Sequence, residues 1–315
     1  MENLAPVAVC TYSRINHLKQ TIEALQKNTL AKQTELYIFS DAPRIGDEEI
    51  VRKVREYIRT VDGFKKVHIV ERQTNGIIEN LYGAIEQLLN IHGKIIFLED
   101  DNVTSNYFLK FMNESLNHYQ DDKRILTISG YMLDVKEIHE GKDDVFLQRI
   151  FSAWGFATWK DRKIIEIGNK TDFICLLKGK YKIANKIFKY NPPMFKALSN
   201  IKRMPNKVNP LDYKISAYQF LFDKYTLYPK QSFVKNIGAD GSGVHAKVTN
   251  IWDVELNESN LSDIKLAENV EYNERYEKLI SERAMSFRKS LNYTMRKIFN
   301  YVWVFFHIIF CKKDK

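Results

Sequence analysis

The chain has 315 residues, 44% of them hydrophobic and 28% charged, with a formal net charge of +9. That length supports one large core or two modest ones, and the apolar content excludes a disordered chain. The charge is concentrated: Phe173 to Leu211 carries nine Lys/Arg and no acid, Arg283 to Lys315 carries eight Lys/Arg against one Asp, and the remainder is net acidic. This distribution suits local docking surfaces for anions rather than a generally basic protein, and no nucleic-acid partner is expected.

Met1 leads within five residues into a strand-like stretch with no basic, cleavable leader pattern, so export is not expected. Cys10, Cys175 and Cys311 lie far apart with no CxxC or His/Cys cluster, so reduced thiols are expected, with neither structural zinc nor a disulfide framework.

In chain order, Pro6 to Thr11 reads as a buried strand and Asn16 to Lys27 as a helix with Leu18, Ile22 and Leu25 on one face. Leu36 to Ser40 is a second strand. Asp47 to Val61 is an amphipathic helix with Ile50, Val51, Val54, Ile58 and Val61 on one side and three acids in its first turn, where the helix dipole favours them. Strands at Val67 to Val70, Lys94 to Leu98 and Ile125 to Ser129 alternate with helices at Ile77 to Leu89 and Tyr107 to Tyr119. Alternation of this kind predicts an α/β fold with a mostly parallel sheet. Beyond Gly130 it stops, giving way to a Trp/Gly-rich stretch, the basic segment, a polar loop from Gly238 to Gly243 and a helical tail from about Glu271. The expected division is 1–130 for nucleotide binding, 131–255 for the acceptor and catalysis, and 256–315 as a helical tail.

The strand from Lys94 runs straight into Glu99-Asp100-Asp101. In open parallel sheets ligands bind at the carboxyl ends of strands. Three consecutive acids there repel one another unless a cation compensates, and a hard divalent ion with oxygen ligands does this while neutralising a diphosphate leaving group. With Thr11-Tyr12-Ser13-Arg14 after the first strand and Ser40-Asp41 after the second, the order and spacing resemble inverting GT-A glycosyltransferases. The likeness is to the large family-2 group and, in the second half, to N-acetylglucosaminyltransferase I and its bacterial relatives, over approximately residues 5 to 250. The resemblance implies a GT-A fold, a nucleotide-sugar donor and Mn²⁺ or Mg²⁺. It places Asp101 as the direct metal ligand, Asp100 and Glu99 on the donor ribose and sugar, Asp41 on the uracil ring and Arg14 near the donor diphosphate, with Thr11 and Tyr12 among the donor-binding residues. Asn80 matches a polar residue on the helix that flanks the nucleotide.

An inverting transfer needs a carboxylate that takes the acceptor hydroxyl proton. Asp212, opening a helical run from Tyr213 to Phe222, stands where the resemblance puts that base; its other reading is a helix cap, and Asp134 is the reserve. Trp154 and Gly155, within Phe151 to Trp159, are acceptor-site candidates, since Trp faces stack on sugars and glycine admits close backbone approach. The loop from Asn236 to His245 is glycine-rich enough to act as a lid, with His245 a further metal or diphosphate contact.

In the tail, Arg288, Lys289, Arg296 and Lys297 precede the 13-residue apolar run Ile298 to Phe310. That is short of the ~20 residues needed to span a bilayer and suits a helix lying on an anionic membrane. Together these features predict a glycosyltransferase on the cytoplasmic face of a membrane, using a UDP-sugar and a glycan or lipid-linked glycan acceptor. A dehydrogenase is disfavoured because Thr11 to Arg14 contains no glycine. A sugar nucleotidyltransferase and a non-catalytic sugar- or nucleotide-binding module remain as alternatives.

Overall fold

The structure, a computed structural model, describes residues 4–170, 172–203, 211–242, 252–259, 264–286 and 302. Its first half is β1 (Val7–Thr11), α1 (Ile15–Gln26), β2 (Glu35–Ser40), α2 (Glu48–Ile58), β3 (Lys66–Glu71), α3 (Ile77–His92), β4 (Lys94–Glu99), β5 (Asn102–Thr104), α4 (Phe108–His118) and β6 (Ile125–Ser129). The second half adds α5 (Lys136–His139), β7 (Val145–Gln148), β8 (Phe156–Trp159), α6 (Ile164–Gly168), α7 (Phe173–Leu176), α8 (Tyr181–Tyr190), α9 (Pro192–Arg203), α10 (Leu211–Phe222), β9 (Tyr225–Pro229), β10 (Val234–Asn236) and α11 (Glu274–Ser286).

Eight strands form one sheet in the order β3-β2-β1-β4-β8-β6-β9-β7. The pairings are parallel from β3 through β4 and between β6 and β9, and antiparallel at β4–β8, β8–β6 and β9–β7. Six strands therefore run one way and only β7 and β8 oppose them. This is the expected mixed α/β, mostly parallel architecture, and it is consistent with a GT-A, Rossmann-like fold. The sheet runs on past residue 130, because β6 lies between β8 and β9.

Alternation along the strands sends side chains to two cores. Val7, Val9, Leu36, Ile38, Ile96 and Leu98 face α1, α2 and α4. Ala8, Cys10, Tyr37, Phe39, Ile95 and Phe97 face α3 and the helices of the second half. With helices on both faces, central strands need continuous apolar runs, and β1 is buried at every position. β3, at the edge, stays half exposed and carries Lys66, His68 and Glu71, charges suited to a sheet edge. Helix α3 ends at Gly93 in the left-handed conformation (φ 77°), which returns the chain directly into β4.

Two expectations are corrected. Ile50 is 42% exposed, so the buried stripe of α2 is Val51, Val54 and Ile58; Ile50 sits just off the stripe that 3.6 residues per turn presents to the sheet. Cys10 is a free, buried thiol, but Cys175 is disulfide-bonded, because separation along the chain does not bound separation in the fold. Most of the tail assigned to a membrane-lying helix falls outside the described residues. Among the described residues no helix is long and apolar enough to cross a membrane.

Candidate active site

Parallel register aligns Thr11 with Ser40 and Cys10 with Glu99, so the segments leaving β1, β2 and β4 emerge together at the carboxyl edge of the sheet. Beyond β4 the chain turns on Asn102, whose side chain accepts from the Glu99 N–H (3.1 Å) and donates to Asp101 Oδ1 (2.9 Å). The turn leaves Asp100 and Asp101 buried, at 4% and 7% exposure. Thr11 Oγ1 donates to Asp100 Oδ2 (3.0 Å), and Thr21 on α1 donates to the Asp100 carbonyl (2.9 Å). Arg14, just before α1, bridges the pair: its guanidinium is bonded to Asp100 and lies 2.8 Å from Asp101 Oδ2.

One guanidinium lies among three carboxylates, and the surplus negative charge registers on the protons of Glu99 and Asp100. Burial, then Asp101 and Asp100, push the Glu99 acid up to about 8; Arg14 opposes this and Asp212 adds to it. Burial raises Asp100 as well, against the pull of Arg14. Beneath them the Cys10 thiol is pushed up by burial and then by Glu99, Asp100 and Asp41. The edge is thus a desolvated anionic site short of positive charge.

A second segment closes on it. β10 pairs antiparallel with β5, setting Asn236 opposite Asn102. Asn236 Nδ2 donates to Asp101 Oδ1 (2.9 Å), and the Ile237 N–H donates to the Asp101 carbonyl (2.9 Å). The next residues carry the loop over α1, where Asp240 meets His17 at 3.1 Å. The root of the glycine-rich loop therefore touches the acidic turn directly. Its continuation, with the proposed ligand His245, lies outside the described residues.

Asp41, 3% exposed, accepts from its neighbour's Ala42 N–H (2.9 Å), from the Gly76 N–H (3.1 Å) and from Asn75 Nδ2 (3.2 Å). It fastens the end of β2 to the start of α3, a partner role in addition to the base-recognition role that the resemblance implied. Asn80 is buried under β2, with Nδ2 reaching the Phe39 carbonyl (3.4 Å) and Oδ1 lacking a hydrogen-bond partner. Tyr12 turns towards the 41–47 loop, its hydroxyl donating to Asp47 and accepting from the Arg44 N–H.

Asp212 lies in the first turn of α10. That helix is seated by Lys214, whose ammonium is buried and donates to the Gly168 carbonyl (2.6 Å), and by Ser216, which accepts from the Phe151 N–H (2.9 Å). The seating brings Asp212, more than a hundred residues away in sequence, within the electrostatic reach of Glu99. Asp134, the reserve base, is exposed and pairs with His139 at 3.4 Å. Trp154 packs edge-on against Tyr131 and Trp252, with centroids at 4.8 and 5.8 Å. Gly155 has φ +66°, and a β-carbon there would stand 2.7 Å from Val234. Within the fold, the close approach it permits is to Val234 of β10 and Leu98 of β4.

Sequence reasoning passed over Asn102, Thr21 and His17, and it named Asn236 and Gly238 only as members of the glycine-rich loop, without a partner. Asn102 directly follows the three acids, so it stood beside a motif. Thr21 and His17 carried no such signal.

Among the described residues no group of three or more His, Cys, Asp or Glu side chains could hold a metal ion by itself. The donor set nonetheless fits Mg²⁺ or Mn²⁺ of the substrate-borne kind. Asp101 and Asp100 offer hard carboxylate oxygens in a site with surplus negative charge, and such ions commonly bind one or two carboxylates and complete their shell with substrate phosphate and water.

No family model and no curated protein matches the chain. Among solved structures it is similar to S. aureus TarS 1–349, at 12% identity over 98% of this chain and 81% of that one, with a TM-score of 0.42. It is also similar to the mannosyltransferase PcManGT from Pyrobaculum calidifontis in complex with GDP-Man and Mn²⁺, at 14% identity and a TM-score of 0.36 over 51% of this chain. A third is GalNAc-T7 with UDP, GalNAc and Mn²⁺, at 13% identity and a TM-score of 0.40 over 73% of this chain. The matches span 45% of the mannosyltransferase and 43% of GalNAc-T7. These likenesses are loose, and the reading of the site rests on its own residues.

Proposed function

We propose that this chain is an inverting, metal-dependent glycosyltransferase of the GT-A type. It moves a sugar from a UDP-sugar to a hydroxyl of a glycan acceptor. The observation that carries the reading is the Glu99-Asp100-Asp101 turn at the carboxyl edge of β4, its two aspartates buried, with Arg14 laid across them and Asp212 acting on Glu99 from α10.

In this reading Asp101, with Asp100 beside it, holds a divalent cation, which when bound neutralises charge on the diphosphate leaving group. Arg14 contacts the diphosphate, a bidentate match for a guanidinium. Glu99 and Asp100 orient the ribose and sugar, while Asp41 and the start of α3 bind the base. UDP is favoured over other nucleotides only through the family resemblance at Asp41. Asp212 accepts the acceptor hydroxyl proton as that oxygen bonds to the anomeric carbon. The anomeric C–O bond to the diphosphate breaks on the opposite face, and UDP leaves with the electron pair. One displacement inverts the anomeric configuration. Residues 1–130 serve the donor, 131–255 the acceptor, with Trp154 at its aromatic wall, and 256–315 form a tail that rests on the cytoplasmic face of an anionic membrane. That location favours a lipid-linked acceptor, as in surface polysaccharide or lipopolysaccharide synthesis.

The test is a donor screen: purified protein, a panel of nucleotide sugars, Mn²⁺ or Mg²⁺ present or chelated, and nucleotide release measured. The expected result is metal-dependent UDP release from one UDP-sugar. Absence of both turnover and UDP binding across the panel sinks the reading.

A further inference from the structure

The coordination of Asp101 leaves little room for a metal. Its Oδ1 already accepts from Asn102 Nδ2 and Asn236 Nδ2, both at 2.9 Å, which uses the two lone pairs of that oxygen. Its Oδ2 faces Arg14 at 2.8 Å. Gly238 presses on the same oxygen so closely that a β-carbon there would stand 2.1 Å from Oδ2 and 3.0 Å from an Arg14 guanidinium nitrogen. Asp100 is likewise committed to Thr11 and Arg14. A cation that coordinates Asp100 Oδ1 or Asp101 Oδ2 must compete with the guanidinium for those oxygens.

We propose that Arg14 is an internal counter-ion that occupies the cation position while the donor is absent and is exchanged onto the diphosphate when the donor binds. The inference rests on reading the site as a nucleoside-diphosphate site. A planar guanidinium pairs with a diphosphate at least as well as with two carboxylates. Two surplus carboxylate charges left behind are what a divalent ion neutralises. Nucleotide and metal then each favour the state the other needs, and by linkage the strengthening is reciprocal. The arrangement keeps the carboxylates from repelling one another in the resting protein. It also gives Arg14 an effect on metal binding that is separate from its contact with the diphosphate.

The discriminating quantity is the affinity for metal alone. Mn²⁺ binding to the full chain is titrated by the electron paramagnetic resonance signal of free Mn²⁺, with and without UDP, for the parent, Arg14→Ala and Arg14→Lys. UDP binding is titrated separately by calorimetry. The parent is expected to bind Mn²⁺ weakly alone and at least about tenfold more tightly with UDP, with UDP tightened equally by Mn²⁺. Arg14→Ala should bind Mn²⁺ alone about tenfold more tightly than the parent. Arg14→Lys, which keeps a cation over the same oxygens, should restore weak metal-only binding. If Arg14→Ala does not fold, Arg14→Gln makes the same comparison without the charge. Metal-only affinity unchanged or lowered in the neutral variant, with UDP still bound, overturns the exchange and leaves the donor-site reading standing. Binding of neither UDP nor Mn²⁺ to any of the proteins overturns both.

Discussion

Gly238 and Asp101 are in closer contact than any other residue type at position 238 would allow: a β-carbon on Gly238 would lie 2.1 Å from Oδ2 of Asp101 and 2.9 Å from its carboxyl carbon. Two segments 137 positions apart in sequence are thus packed backbone against carboxylate, because β10 pairs with β5 next to the acidic turn. Gly238→Ala must move either the loop or the carboxylate. We expect donor turnover to fall by about tenfold or more, the scale on which misplaced catalytic groups lose rate. The stability loss should be about 1–3 kcal/mol, since Gly238 is buried and the added carbon overpacks its contact with the carboxylate. Nucleotide release and thermal unfolding on the same variant read the two effects.

Asp212→Asn keeps the shape of the side chain and its ability to open α10, and removes its basicity. Transfer to acceptor is expected to drop by on the order of 10²-fold or more, with UDP affinity nearly unchanged. Transfer at the parental rate would show that Asp212 only caps the helix. The product of the parent enzyme should carry the inverted anomeric configuration when analysed by NMR; retention is incompatible with a single displacement.

Glu99 gives the ligand-free protein a pH dependence opposite in sign to that of an ion-paired carboxylate. Its acid sits at about 8 in the folded chain against an ordinary 4.5. Below about 4.5 the group is protonated in both states and its stabilising effect is fully present. Between 4.5 and 8 the unfolded chain loses the proton while the folded chain keeps it, so stability falls as pH rises through that window. Glu99→Gln should remove this slope. Melting temperatures of parent and variant, measured without metal or nucleotide, are expected to diverge steadily from pH 5 to pH 8 in favour of the variant; parallel curves would contradict the assignment.

Asp41 joins the end of β2 to the first residues of α3 through Gly76 and Asn75. Asp41→Ala leaves a buried N–H unsatisfied, which costs on the order of 1–3 kcal/mol. Chemical denaturation should register that loss. If Asp41 also reads the base, the variant should bind UDP at least about tenfold more weakly than the parent under conditions where it remains folded, as expected for a lost buried hydrogen bond to a ligand.

The basic, aromatic tail is expected to pellet the intact protein with anionic vesicles. Salt should weaken that binding through screening without abolishing it, because Trp303, Phe305, Phe306, Ile309 and Phe310 add apolar burial. Truncation after Glu282 should spare donor hydrolysis and impair transfer to a lipid-linked acceptor. An intact protein that ignores vesicles and forms a discrete dimer rejects the anchor.

Much of the frame was legible in the chain itself. Continuous apolar runs at β1 and β4, helical periodicity at α1 and α2, and three acids closing a strand are local patterns governed by the two side-chain repeats. They determined the order of elements and the edge at which the acids would gather. Even so, Ile50 shows that a pattern places a stripe only to within one residue. What the sequence could not determine is which distant side chains meet there. Asn236 on Asp101, Gly238 against the same carboxylate, Asp240 on His17 and Asp212 within reach of Glu99 all depend on β10 pairing with β5 and on α10 being seated by Lys214 and Ser216. Those contacts arise from long-range packing and desolvation, which no local repeat encodes. The same packing turned Asn80 inward under β2 and spent the freedom of Gly155 on Val234. The sequence by itself determined the strands and the acidic turn, because both are written in neighbouring residues. Only the tertiary structure decided the charge balance of that turn, because it depends on a single guanidinium and a second strand that folding brings to it.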